Sequence, residues 1–150
     1  MSTILFLAED DPLMSRMYER AFSSSGFDLK VAFDGDEAIN LLKSMDPKPT
    51  VAMLDIMMPK KSGYDVLRSI KADPVLKNIP VILLTNLAGQ KDAEKGLELG
   101  AVLYLIKSQY SPKEIVDKVK EIVASYSRQP EGVPDVKVEV KDIKPEDTEQ

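Results

Sequence analysis

Five apolar runs rich in β-branched residues, separated by amphipathic segments, predict a doubly wound α/β fold with a five-stranded parallel sheet. The runs at residues 3–8 (TILFLA), 27–33 (FDLKVAF), 50–54 (TVAML), 79–84 (IPVILL) and 101–106 (AVLYLI) have the length and composition of strands. The first, third and fourth are almost continuously apolar, as strands are when helices cover both faces of a parallel sheet. Helical patterns fall between and after them, near 12–25, 36–44, 64–71, 90–98 and 112–126, and tandem βα units of this kind take right-handed crossovers.

Individual elements carry their own signals. In the last helix Ser111 is a suitable N-cap, Pro112 suits the first position, and Glu114 completes a capping box. Ile115, Val116, Val119, Ile122 and Val123 form its single apolar stripe. Asp11 precedes Pro12 and reads as the cap of the first helix, outside any ligand set. Gly26 and Gly100 each stand between a helix and a strand, where glycine takes the left-handed closing conformation.

The 150 residues suffice for one domain and one core, placed at 1–127. Over 128–150 the chain gains three prolines and a net charge of −3 (4 basic, 7 acidic), an acidic tail expected to be disordered. Its alternating VKVEV at 136–140 offers an added edge strand as the other outcome. The N-terminus lacks a signal-peptide pattern and the apolar runs are far shorter than the roughly 20 residues of a membrane span, which predicts a cytoplasmic protein. A net charge of −5 without a basic stripe predicts no direct nucleic-acid binding.

The chain has neither Cys nor His, so disulfides, thiolate sites, imidazole bases and the usual zinc sites are excluded. Chemistry must run on carboxylates, hydroxyls and lysines. The strands close on such groups: Glu9, Asp10 and Asp11 after the first, Asp55 after the third, Thr85 after the fourth and Lys107 after the fifth. In a parallel sheet these converge on one rim. Clustered carboxylates repel one another unless a cation or a proton joins them, and hard oxygen donors suit Mg²⁺. A carboxylate nucleophile, a lysine and a hydroxyl are what phosphoryl transfer requires.

The motifs LFLAEDDPLM (5–14), MLDIMMPKKSGYDVL (53–67), VILLTNLA (81–88) and GAVLYLIKS (100–108) together resemble the receiver domain of two-component response regulators, single-domain chemotaxis regulators included. The resemblance covers residues 3–127 and implies the flavodoxin-like (βα)5 receiver fold. It implies Asp55 as phosphoacceptor, Asp10 as a direct Mg²⁺ ligand, Glu9 acting mainly through water, and a backbone carbonyl from Met57. Thr85 would bond the phosphoryl group, Lys107 would pair with it, and Tyr104 matches the aromatic that changes rotamer on activation. Pro59 and Gly63 read as structural, and Lys60 and Lys61 as a solvated loop able to steer an acidic partner.

Ser108 departs from the family, which carries a proline there, commonly in cis. A cis bond before a non-proline costs about 2.5–4 kcal/mol, which leaves the Lys107–Ser108 geometry and the following loop open. By the same resemblance the chain is no enzyme beyond its own phosphorylation and a slow autodephosphorylation. Its partners are a sensor histidine kinase or histidine-phosphotransfer protein and a downstream protein, with no membrane, as a monomer or a phosphorylation-dependent dimer. The alternative is a metal-dependent phosphotransferase or phosphatase acting on a free substrate through an aspartyl-phosphate. A fold serving only as a scaffold is disfavoured by the complete set of acidic, hydroxyl and lysine residues.

Overall fold

A computed structural model describes residues 2–128; the expected tail, with its 136–140 alternation, lies outside the described residues. The elements run β1 (Thr3–Ala8), α1 (Pro12–Ser24), β2 (Phe27–Ala32), α2 (Gly35–Ser44), β3 (Val51–Leu54), α3 (Gly63–Ala72), β4 (Val81–Thr85), α4 (Gln90–Glu98), β5 (Leu103–Ile106) and α5 (Pro112–Arg128). A single 3₁₀ turn, Lys107–Gln109, joins β5 to α5. The strands form one parallel sheet in the order β2-β1-β3-β4-β5. The doubly wound prediction therefore holds. β4 and β5 begin two residues later than expected, after Pro80, which has no N–H for a ladder, and after Val102.

Strand alternation divides the core in two. Phe6, Ala8, Ala52, Leu54, Val81, Leu83, Tyr104 and Ile106 face α2, α3 and α4. Leu5, Leu7, Val51, Met53, Ile82, Leu84, Leu103 and Leu105 face α1 and α5, where Tyr18, Phe22, Ile115 and Val119 meet them. Period-two side chains on strands covered on both faces produce this pattern.

The helix ends form as their residues dictate. Asp11 Oδ1 accepts from the N–H groups of Leu13 and Met14, capping α1. Ser111 and Glu114 exchange the two hydrogen bonds of a capping box. Gly26 (φ 90°) and Gly100 (φ 112°) adopt the left-handed conformation. No helix among the described residues is long and apolar enough to cross a membrane.

Candidate functional site

In strand order, β1 is the point from which the chain leaves first to one side (β2) and then to the other (β3). Doubly wound sheets open a crevice at such a switch point, beyond the carboxyl ends of the strands. Glu9 and Asp55 flank it. Backbone bonds extend the sheet past the strand ends here: Glu9 N–H donates to Ala32 O at 2.9 Å and Asp55 N–H to Ala8 O at 3.0 Å. Gly63 tightens the frame from the other side. Its N–H donates to Ile56 O at 2.9 Å, and a Cβ at this position would lie 2.2 Å from Asp55 O. The start of α3 thus presses on the Asp55 backbone, and only glycine fits.

Carboxylate oxygens of Glu9, Asp10 and Asp55 lie within 4.8 Å of one another, the one such acidic group among the described residues. Glu9 and Asp55 are buried, 1% and 6% exposed, while Asp10 is exposed at the rim. Lys107 reaches in from β5: its ammonium donates to Glu9 Oε1 and, at 2.7 Å, to Asp55 Oδ2. The other oxygens are also engaged. Glu9 Oε2 accepts from Asp11 N–H at 3.1 Å and Asp55 Oδ1 from Met57 N–H at 3.2 Å. Burial is the largest influence on both ends of the ion pair. It pushes the Glu9 carboxyl above its ordinary value, and hydrogen bonding from Lys107 offsets this only in part. Burial alone would lower Lys107, but its two carboxylate partners outweigh it and hold the ammonium above its ordinary value.

Thr85 and Tyr104 occupy a second, adjoining layer. Thr85 is fully buried, and its Oγ1 accepts from Leu87 N–H at 3.3 Å. Tyr104, also fully buried, donates its hydroxyl to Leu87 O at 2.7 Å, and burial raises its pKa so that the phenol stays a donor. Both expected switch residues therefore hold the same loop residue. The Met57 side chain points outward, 63% exposed, while its amide is fixed on Asp55.

Two details add to the sequence reading. Lys60 and Lys61 are exposed, as expected of a solvated loop, and they also pair with Asp34 and Asp36, the N-cap and first turn of α2, at 3.7 and 3.6 Å. The only cis peptide among the described residues is Asp46–Pro47, so Lys107–Ser108 is trans, as the cost of a cis bond before serine favours. Two residues escaped the sequence reading. Asn86 accepts a hydrogen bond from Ser108 N–H at 3.0 Å, and the only hint was a polar residue directly after a strand end. Tyr64 donates to Asp92 O at 2.9 Å and carries the Lys95 ammonium 4.4 Å above its ring, joining α3 to α4.

A five-stranded parallel sheet with three carboxylates and a lysine at its switch point is the architecture of a receiver-type signalling domain. The chain belongs to the response regulator receiver domain family, whose match spans residues 5–120. It is thus a phosphorylation-activated signalling module. Among curated relatives it is 36% identical over 119 residues to the probable transcriptional regulator ycf27 of Guillardia theta, covering 79% of this chain and 44% of that protein. The chain spans about half the length of the curated relatives it matches. Among solved structures, the phosphorylated cyanobacterial phytochrome response regulator RcpA superposes with a TM-score of 0.74 at 29% identity, covering 83% of this chain and 96% of that one. The Mn²⁺-bound form of response regulator Rcp1 gives a TM-score of 0.70 at 31% identity, covering 83% and 94%.

Proposed function

We propose that Asp55 accepts a phosphoryl group from a sensor histidine kinase or a histidine-phosphotransfer protein, with Mg²⁺ held by the acidic cluster. The supporting observation is the meeting of Asp55 with Glu9, Asp10 and Lys107: a nucleophilic carboxylate, two more carboxylates and an ammonium in one crevice. The Asp55 carboxylate attacks phosphorus opposite the donor imidazole nitrogen. The P–O bond forms, the P–N bond breaks, and the imidazole keeps the electron pair. Asp10, Asp55 and the Met57 carbonyl would hold the ion directly. Glu9 is buried behind the exposed Asp10 and, by the family resemblance, would act mainly through water. Hard oxygen donors of this number fit Mg²⁺, which when bound neutralises charge on the phosphoryl oxygens. The phosphorylated state of RcpA and the Mn²⁺ of Rcp1 support the same reading by similarity.

Lys107 covers Asp55, so the acceptor is reached when the ammonium leaves Oδ2 for the incoming phosphoryl oxygens. Its four-carbon stem allows this. Thr85 can donate its hydroxyl proton to another of those oxygens. Drawing Thr85 inward breaks its bond with Leu87 N–H and frees the loop that Tyr104 also holds, which turns a local charge into a change of surface shape. The output is binding of a downstream protein, in the cytoplasm, as a monomer or a phosphorylation-dependent dimer, without direct nucleic-acid or membrane contact. Residues 1–127 are the receiver and 128–150 an appended acidic tail.

Incubation with acetyl phosphate and Mg²⁺, followed by intact mass, tests this proposal. One labile phosphoryl adduct is expected, absent in Asp55→Asn and without Mg²⁺; an unmodified wild type would overturn it. Steady turnover of a small phosphate ester would instead favour a phosphotransferase. Met57 and Leu87, two positions beyond Asp55 and Thr85, are apolar and cannot orient a hydrolytic water. Self-dephosphorylation should therefore be slow, and replacing Met57 with Asn should shorten the half-life measured by loss of the adduct.

A further inference from the structure

Asn86 directly follows Thr85, and Ser108 directly follows Lys107. The Ser108 N–H donates to Asn86 Oδ1 at 3.0 Å, so one hydrogen bond ties the β4–α4 loop to the β5–α5 loop, a single residue away from each of two site residues. The donor is a backbone amide. A proline at 108 would have none, and the trans Lys107–Ser108 peptide presents this one toward Asn86.

We infer, on the proposed reading of Asp55 and Lys107, that Asn86 is a positioning residue which sets the Lys107 backbone so that its ammonium reaches the phosphoryl acceptor. The lysine stem is flexible but of fixed length, so where the Lys107 backbone is anchored sets which oxygens its ammonium can reach. Beyond β5 that backbone enters one 3₁₀ turn, closed by Tyr110 N–H on Lys107 O at 3.3 Å. The Asn86 bond fastens the turn sideways to the strand that carries Thr85. Thr85 and Lys107 must bind oxygens of the same phosphoryl group, and the tether keeps their spacing constant while either side chain moves.

The test follows phosphorylation of the full chain by acetyl phosphate with Mg²⁺, over a range of donor concentrations, alongside hydrogen exchange at the Ser108 amide. Asn86→Ala should speed exchange at Ser108 and slow the maximal rate about fivefold, what one net hydrogen bond is worth, with the half-saturating concentration within twofold of wild type. Ser108→Pro, which removes the donor, should slow the rate equally; Asn86→Ala added to it should do nothing more. Ser108→Ala restores the N–H and with it the wild-type rate. Faster Ser108 exchange in Asn86→Ala with an unchanged rate overturns the positioning role, as do additive effects in the double variant. If Ser108→Pro does not fold, the paired exchange and rate of Asn86→Ala decide the matter alone. A wild type that takes no phosphoryl group brings down the reading of Asp55 itself, whereas normal wild-type labelling with an indifferent Asn86→Ala refutes only the tether.

Discussion

Helices α3 and α4 are of nearly equal length and both start beside the site, yet they are held in different ways. α3 opens with a reciprocal capping box, Ser62 and Asp65, and buries Gly63, Tyr64, Val66, Leu67 and Ile70. α4 opens at Gly89 with no side-chain cap and buries only Ala93 and Gly96. Gly96 lets α4 lie close on the sheet, since a Cβ there would be 2.4 Å from a Leu83 methyl carbon. What secures α4 is polar and sits at its start: Tyr64 OH on Asp92 O, and Tyr104 OH on Leu87 O in the loop before it. Apolar burial holds a helix in one place, whereas a few directional bonds can be exchanged. α3 therefore serves as the fixed frame of Asp55, and α4 is the element that, on the proposed reading, a change at Thr85 would shift.

The largest test of this difference is in the apolar contacts. Leu67→Ala in α3 should cost about 3 kcal/mol, and Leu97→Ala, on the partly buried face of α4, less than half as much, read from urea midpoints at constant m. Equal losses would erase the distinction. A smaller effect is expected of Tyr104→Phe, which leaves Leu87 O without its donor: about 1 kcal/mol, with faster amide exchange confined to the β4–α4 loop and the start of α4. Exchange spreading evenly into α3 would contradict the polar account of α4. The smallest effect concerns acid. The hydrogen bond from Ser62 N–H, aided by Arg68, holds the Asp65 carboxyl below its ordinary 3.8, so its contribution is complete above that value and is lost as pH falls through the folded one. Over that range Asp65→Asn should flatten the loss of α3 protection, while α4, without a side-chain cap, should be indifferent to the substitution.

The fold was legible because burial on two faces leaves a strong mark: β1, β3 and β4 are runs with hardly a polar residue, and α1 and α5 open on caps visible in the sequence, Asp11 and Ser111. The site was legible where side-chain chemistry is local to a strand end, as at Glu9, Asp10, Asp55, Thr85 and Lys107. The structure brings four of these five into direct contact or within ligand distance, and sets Thr85 beside them against Leu87. Contacts between loops were not legible. The Asn86–Ser108 bond joins residues 22 apart through a backbone donor, and no periodicity records where a loop amide points. The pairing of Lys60 and Lys61 with Asp34 and Asp36 at the start of α2 was not legible for the same reason, because a charge run does not record which neighbours the fold brings to it.

The contact of Gly63 with the Asp55 carbonyl has a practical side. A fluorophore, crosslinker or affinity handle attached at Gly63 would wedge the end of β3 that carries Asp55 away from its neighbours and disturb the acidic cluster. On α4 the close abutment is that of Gly96 on Leu83, and the exposed positions Glu94 and Glu98 are where such a label should be attached instead.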